Sequence, residues 1–325
     1  MVIVAGIDEA GLGPVLGPLV VSATAFAVPD DLAEVSMWRL LAGSVTEKPS
    51  RRRGSVAIGD SKRLYASRSR GPGRLEHLER GVLAALRAGG AMPASLRALL
   101  DTVAPQSGDK MRHYPWYRDA DLSIPCALSE TDAMLSGNSL KAAMKRADIT
   151  PAGLRSEVIF AGEFNRIVRA TRNKSTTLLD VTCRLLMRLW RSAPRDGRVR
   201  IVCDRQGGRV RYLPALQRVF EGCSLKVIDE SDALSAYRIS DGSRQAEMVF
   251  AVGAERRHLP AALASMLSKY LRELFMTLFN RFWTRQLPDL APTAGYYVDG
   301  KRFYREITPA VRKLGVSEQM LYRCR

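Results

Sequence analysis

The stretch VIVAGIDEAGLGP, residues 2–14, and the apolar run LVVSATAFAV, residues 19–28, decide how the fold begins. Val, Ala and Ile dominate both, which is typical of central strands covered on two faces. A glycine-rich turn separates them, and two acids, Asp8 and Glu9, directly follow the first apolar run at 2–7. The sequence therefore predicts two buried strands joined by a turn that carries carboxylates.

The adjacent acids suggest a binding site. Carboxylates at the end of a buried strand are costly unless cations or hydrogen-bond donors meet them. Because neighbouring side chains on a regular strand face opposite ways, Asp8 and Glu9 can share one site only where the strand ends. Gly11 and Gly13 supply that freedom and let a ligand approach the backbone closely. A solvated turn after a strand is the alternative, and two acids alone do not exclude it.

Strand and helix patterns alternate along the rest of the chain. Strands are predicted near 158–161, 199–204, 225–228, 236–239 and 247–252, and helices over 75–87, 175–190 and 260–282. Such alternation predicts an α/β fold with a mixed sheet flanked by helices.

The charge balance favours an anionic partner. Fifty Lys and Arg against 33 Asp and Glu give a net charge of +17. A positive surface concentrates phosphates and releases counterions when it binds them. An arginine-rich proteome would give the same figure, so charge alone does not establish a nucleic-acid partner.

Cysteine usage and hydropathy indicate the cellular compartment in which the protein is expected. Five cysteines are scattered without a C-x-x-C pair, as expected for free thiols in a reducing compartment. The first residues lack the basic region of a signal peptide, and no apolar stretch is long enough to span a bilayer. We therefore expect a cytoplasmic protein with no membrane partner, and we favour a monomer.

Several short motifs follow one another along the chain. They are Asp8 to Pro14 (DEAGLGP) with GPLVV at 17–21, Gly59 to Lys62 (GDSK), Asn173 at the opening of a helix, Val202 to Asp204 (VCD), Ala254-Glu255 before LASMLSK at 263–269, and Gly295-Tyr296 with Tyr322-Arg323. In this order they resemble type 2 ribonuclease H (ribonuclease HII). The resemblance covers the beginning and roughly the last half of the chain, but neither 89–152 nor much of 205–250.

The resemblance implies a ribonuclease H-like sheet with additions. We place the catalytic domain at 1–88 and 153–285, an inserted, partly helical subdomain at 89–152, and a basic, helical or irregular segment at 286–325 that packs near the substrate groove.

The resemblance also implies a site and a reaction. The catalytic, metal-binding carboxylates would be Asp8, Glu9, Asp204 and Glu255. Mg²⁺ or Mn²⁺ prefers oxygen ligands, and four carboxylates offset the charge of two ions about 3.5–4 Å apart. The nucleic-acid contacts would be Gly11, Leu12, Gly13, Ser61, Lys62, Asn173, Ser265, Lys269 and Tyr296. The implied activity is two-metal-ion hydrolysis of the RNA strand of RNA–DNA hybrids, or of duplex DNA that contains ribonucleotides.

Two residues depart from the family pattern. Leu12 stands where the family has the Arg of Gly-Arg-Gly, and Glu255 stands where it has Asp. In the family this loop contacts the ribose 2′-hydroxyl, which distinguishes RNA from DNA. Leu12 therefore leaves open a nuclease with altered sugar specificity. A non-catalytic nucleic-acid-binding module on the same scaffold is a further alternative, and the presence of all four acids argues against it.

Single residues also have purely structural interpretations. Asp204 and Glu255 would be ordinary loop acids if taken alone, and Ser61 would cap the following helix. Lysines at 62 and 269 would be solvated, and a tyrosine at 296 would pack on the surface. Gly207-Gly208 is predicted to be a turn rather than a phosphate loop, because no Gly-Lys-Ser/Thr follows it.

Overall fold

The computed structural model describes residues 1–65 and 71–324, with the side chains of 71 and 72 left out. Its strands are β1 (Val2–Ala10), β2 (Leu19–Val28), β3 (Val45–Thr46), β4 (Val56–Ala57), β5 (Thr150–Ile159), β6 (Arg198–Asp204), β7 (Ser224–Glu230), β8 (Leu234–Ser240) and β9 (Gln245–Ala251). Its α-helices are α1 (Met37–Leu40), α2 (Ser61–Tyr65), α3 (Glu76–Ala88), α4 (Leu96–Val103), α5 (Ser107–Met111), α6 (Glu130–Arg146), α7 (Ala161–Thr171), α8 (Lys174–Ser192), α9 (Leu213–Val219), α10 (Leu259–Gln286), α11 (Tyr297–Lys313) and α12 (Glu318–Leu321).

The main sheet has the strand order β5-β2-β1-β6-β9-β8-β7. Strand β1 pairs antiparallel with β2 and parallel with β6, and β6 pairs parallel with β9. The remaining pairs of this sheet are antiparallel. The predicted mixed sheet flanked by helices is confirmed. Because β1, β6 and β9 run the same way, their carboxyl ends meet at one edge of the sheet.

Two helices cover the two faces of this sheet. On one face, Ala5 and Ile7 of β1 pack into an apolar cluster with Leu178 and Leu185 of α8. On the other face, Gly6 lies directly against the start of α10. Successive residues of β1 thus face opposite sides of the sheet, as in any strand. Gly6 lets α10 approach the sheet more closely than a larger residue would allow.

The segment 89–152 is partly helical, with α4, α5 and α6. Its aromatic side chains join the core under α10: the ring of Tyr117 lies 5.1 Å from that of Phe275, and the ring of Trp116 lies 5.6 Å from that of Phe279. The segment 286–325 contains α11 and α12. None of the helices in the described ranges combines the length and apolar composition needed to cross a bilayer.

The first strand is longer than the sequence predicted. Its ladder with β2 continues through Asp8, Glu9 and Ala10, whereas its ladder with β6 stops at Ile7, opposite Cys203. The predicted end at residue 7 was wrong because β2 continues to supply a pairing partner after β6 turns away. Asp8 and Glu9 therefore lie on a strand that is paired on one side only.

Replacing Gly6 by Ala should destabilise the protein. A β-carbon there would lie 2.0 Å from the backbone nitrogen of Ala261, and backbone cannot move aside as a flexible side chain can. We expect the free energy of unfolding to fall by about 2 kcal/mol, a typical cost of overpacking. Denaturant unfolding measures it. At Gly13 an added β-carbon meets nothing within 4 Å, so Gly13→Ala is the matched control. Equal stability of the two variants would contradict the close approach.

Candidate active site

Four acids lie where three adjacent strands end. Asp8 and Glu9 are near the end of β1, Asp204 is the last residue of β6, and Glu255 lies in the short 3₁₀ turn that follows β9. A carboxylate oxygen of Asp204 accepts a hydrogen bond from the backbone nitrogen of Ala254 at 2.9 Å. Asp204 thus fixes the turn that carries Glu255.

The acids affect one another electrostatically. Burial raises the pKa of Asp8 well above its ordinary value, and the charges of Glu9 and Asp204 raise it further. Burial, and then the charge of Asp204, raises the pKa of Glu9 to about 7, while Lys62 opposes the rise. The pKa of Glu255 is also raised, mainly by burial, with contributions from Asp204 and from one further acid, Asp60. Each acid therefore makes its neighbours harder to ionise, as expected where carboxyl groups crowd together without a cation.

The donor set suits a hard divalent cation. No three His, Cys, Asp or Glu side chains in residues 1–65 and 71–324 are already positioned to hold one ion. However, the Oε2 atom of Glu255 is buried and has no hydrogen-bond partner. Carboxylate oxygens are the ligands that Mg²⁺ and Mn²⁺ prefer. The residues therefore fit such an ion, and its binding would require the carboxylates to turn toward one another.

Two serines extend the site toward α2 and α10. The hydroxyl of Ser61 lies 3.0 Å from that of Ser265, and both side chains are buried. Ser265 also forms a hydrogen bond with the side chain of Asp8, which lowers the pKa of Asp8 against the larger effect of burial. The structure therefore brings Ser265 to the first carboxylate and Ser61 to Ser265.

Asp60, not Ser61, caps α2. Its Oδ1 atom accepts hydrogen bonds from the backbone nitrogens of Lys62 and Arg63 at 2.9 and 3.3 Å. The predicted capping role of Ser61 was wrong because its hydroxyl is engaged with Ser265. Asp60 belongs to the GDSK motif at 59–62, but the sequence offered no reason to assign it this role.

The two predicted lysines differ in environment. Lys62 is exposed and lies close enough to Glu9 to lower the pKa of that acid. Lys269 is held: its Nζ lies 2.7 Å from Glu273 Oε1 and 4.2 Å from the ring centroid of Tyr65, and its side chain is only 14% exposed. The solvated alternative for Lys269 is therefore wrong.

The loop after β1 that consists of Gly11, Leu12 and Gly13, here the glycine loop, is closely packed at Gly11 and open at Gly13. Gly11 has a φ of +94°, and a β-carbon there would lie 2.6 Å from the carbonyl oxygen of Pro18. Gly13 faces open space. The side chain of Leu12 packs against the apolar cluster on the α8 face instead of reaching outward. Only glycine fits at position 11.

Two buried arginines hold this loop in place. Arg323 donates hydrogen bonds to the carbonyl oxygens of Gly11 and Leu12, the second at 2.7 Å. Arg272 packs against Gly11 and donates to the carbonyl oxygen of Ala294 at 2.8 Å. Both arginines are 1% exposed. Arg323 stands in the Tyr322-Arg323 motif but had no role assigned to it, and no local pattern distinguishes Arg272 among 50 Lys and Arg residues.

Two predicted contacts remain, Asn173 at the opening of α8 and Tyr296 just before α11. Asn173 opens α8 as predicted, and its side-chain oxygen accepts a hydrogen bond from the Ser175 nitrogen at 2.8 Å. Its hydrogen bonds are local, so they do not connect it to the carboxylates. Tyr296 is 54% exposed, with its ring centroid 5.8 Å from the guanidinium carbon of Arg272. Its neighbour Gly295 accepts a hydrogen bond from the Val15 nitrogen at 2.8 Å, which joins it to the glycine loop.

Comparison with known proteins gives similar solved structures only. No family model and no curated protein sequence matches the chain. Ribonuclease HII of Archaeoglobus fulgidus, in a complex with PCNA, is 16% identical with a TM-score of 0.41, covering 100% of this chain and 95% of that one. Ribonuclease H2 from Pyrococcus horikoshii OT3 is 12% identical with a TM-score of 0.42, covering 98% and 92%. Bst-RNase HIII in complex with Mn²⁺ is 14% identical with a TM-score of 0.40, covering 99% and 66%. At identities and TM-scores this low, the likeness carries no weight in assigning the site, which rests on the residues of this chain.

Proposed function

We propose that the protein is a metal-dependent endonuclease of the ribonuclease H type 2 kind. Its substrate would be the RNA strand of an RNA–DNA hybrid, or duplex DNA that contains ribonucleotides. The proposal is supported above all by Asp8, Glu9 and Asp204, whose carboxylates interact at the ends of two adjacent parallel strands. Such a concentration of buried negative charge is costly for stability and is typical of a site that binds cations.

Each part of the site has a role in this reaction. Asp8, Glu9, Asp204 and Glu255 would hold Mg²⁺ or Mn²⁺. Bound there, the ions would polarise the scissile phosphate and lower the pKa of the attacking water. Ser265 orients the Asp8 carboxylate through its hydrogen bond. Lys62 and the exposed side of the glycine loop would contact the nucleic-acid backbone, and Tyr296 would stack beside it. Hydrolysis consumes one water and breaks one P–O bond.

Cleavage assays on defined duplexes test the proposal. The purified protein is incubated with an RNA–DNA hybrid, a DNA duplex with one ribonucleotide, and a plain DNA duplex, each with Mg²⁺, Mn²⁺ or EDTA. We expect cutting of the first two in either metal and none in EDTA. Equal cutting of plain DNA would indicate the altered sugar specificity that Leu12 leaves open. If the folded protein cleaves none of the three duplexes, the proposal that it is an enzyme is overturned and a non-catalytic binding module is supported.

Metal binding should weaken as the pH falls. The raised pKa of Glu9, about 7, means that in the metal-free protein this carboxyl is partly protonated at neutral pH and increasingly protonated below it. The ion must displace that proton, so the apparent affinity should fall by up to about tenfold per pH unit below 7 for each proton displaced. Calorimetric titration of Mn²⁺ between pH 5.5 and 8.5 measures the slope. An affinity independent of pH across this range would contradict a site that includes Glu9.

A further inference from the structure

The loop that follows Asp204 is rich in arginine. Residues 205–211 read RQGGRVR and carry three arginines, at 205, 209 and 211. Gly207 has a φ of +60°, and a β-carbon at either Gly207 or Gly208 would meet nothing within 4 Å. The turn predicted at these glycines is thus an open bend beside a carboxylate of the candidate site.

The loop is fixed by its own hydrogen bonds. The Nε atom of Arg205 donates to the carbonyl oxygen of Arg209 at 2.9 Å. The backbone nitrogen of Gln206 donates to the hydroxyl of Tyr212 at 3.1 Å, and its side-chain amide donates to Thr182 of α8 at 2.7 Å. These bonds hold the loop against the α8 face of the sheet. A ligand would therefore meet a preformed structure rather than a loop that must first become ordered.

Two of the three arginines are left for a ligand. The guanidinium carbon of Arg209 lies 5.9 Å from the ring centroid of Tyr212, and its Nε is buried without a hydrogen-bond partner. Arg211 is exposed. Within the described part of the chain, neither has an acidic side chain within salt-bridge distance. Guanidinium groups match the geometry of phosphate oxygens and bind them in pairs of parallel hydrogen bonds.

The loop lies on the opposite side of the carboxylates from Lys62. Gln206 anchors the loop to α8, whereas the Ser61 hydroxyl anchors the start of α2 to α10. Since α8 and α10 cover opposite faces of the sheet, cations flank the carboxylates on both sides. A strand of nucleic acid that crosses the carboxylates would place one phosphate toward each side.

We propose that the Arg205–Arg211 loop is a phosphate-binding loop that holds a backbone phosphate of the nucleic acid through Arg209 and Arg211. The inference rests on the proposed function for its substrate class and adds a contact to it. The loop differs from the Gly-Lys-Ser/Thr type of phosphate loop in supplying guanidinium groups. Through them it would supply the cationic contact that Leu12 does not provide.

Binding measured without cleavage tests this loop. A fluorescent RNA–DNA hybrid is titrated with wild-type protein and with Arg209→Ala/Arg211→Ala in Ca²⁺, at several salt concentrations. We expect the Kd of the double variant to rise about tenfold and the slope of log Kd against log salt to fall by about one to two. The control is Arg195→Ala/Arg238→Ala, which removes the same charge from two exposed positions, one of them at the far end of β6.

The outcomes separate the two proposals. If the double variant binds no more weakly than the control, with an unchanged salt slope, the phosphate loop is overturned even where the wild type cleaves the hybrid. If the expected loss of binding appears but the wild type cuts no duplex, the nuclease is overturned and the loop stands. Arg209→Lys/Arg211→Lys guards against misfolding: it should retain most of the salt slope while losing part of the affinity, because lysine keeps the charge but not the paired hydrogen bonds.

Discussion

Asp204→Asn is expected to lower cleavage of an RNA–DNA hybrid by about a thousandfold or more, because under the proposed function the variant would lose a metal ligand, and with it several kcal/mol of transition-state stabilisation. Asp204 is central to the cluster: it raises the pKa of Asp8, Glu9 and Glu255, and it orients the turn that carries Glu255. Asparagine keeps the size and can still accept the bond from Ala254. The loss should therefore appear in kcat, with the fold intact. Single-turnover cleavage with saturating hybrid measures it.

The same strand supplies a matched control. Asp196 is exposed just before the other end of β6 and has a φ of +60°, which asparagine tolerates well. Asp196→Asn should cleave like the wild type. If Asp204→Asn retained wild-type kcat in Mg²⁺ and in Mn²⁺, Asp204 would not be a catalytic ligand.

Glu9→Gln should stabilise the metal-free protein at high pH. Because the folded-state pKa of Glu9 is raised from 4.5 to about 7, the folded protein binds more protons than the unfolded chain between these values. Stability therefore falls as the pH rises through this window, and the full penalty of about 3 kcal/mol is present above it. Glutamine removes the penalty. Denaturant unfolding in EDTA at pH 5 and pH 8.5 should show a gain only at the higher pH.

Two further measurements serve as controls for the stability gained by Glu9→Gln at pH 8.5. Adding Mg²⁺ or Mn²⁺ should reduce this gain in stability, since a bound cation also relieves the repulsion between Glu9 and its neighbouring carboxylates. Glu221→Gln changes an exposed glutamate after α9 and should leave stability unchanged at both values. A Glu9→Gln variant that is destabilised in EDTA at pH 8.5 would show that the carboxylate is favourably paired instead.

The sheet and the positions of the acids could be predicted from local patterns. Apolar runs of strand length followed by acids at Asp8 and Asp204 are visible in the sequence, and a strand forms at each run, although β1 continues to Ala10, past its predicted end. Asn173 opens a long amphipathic helix, and side chains of this type commonly cap helices. These features depend on neighbouring residues, which a sequence displays directly.

Other features of the site depend on partners far along the chain. The sequence around Arg272 and Arg323 does not show that they are buried or that they donate hydrogen bonds to loop carbonyls. In a sequence, a buried arginine cannot be distinguished from a solvent-exposed one. The solvated alternative for Lys269 fails because Glu273, one turn later, holds it together with Tyr65, whereas its contact with a substrate groove stays a prediction. Asp60 caps α2 while the neighbouring Ser61 bonds to α10, a choice that only the tertiary structure decides.

The bond between Arg323 and Gly11 joins residues 312 positions apart. Polypeptides are synthesised from the amino terminus, and the earlier parts fold first. The carboxylate-bearing strand β1 is therefore made well before residue 323, yet the turn beside it gains its guanidinium support only when residue 323 has left the ribosome. In a nascent chain, Asp8 and Glu9 are therefore present long before Arg323 can stabilise the loop that follows them.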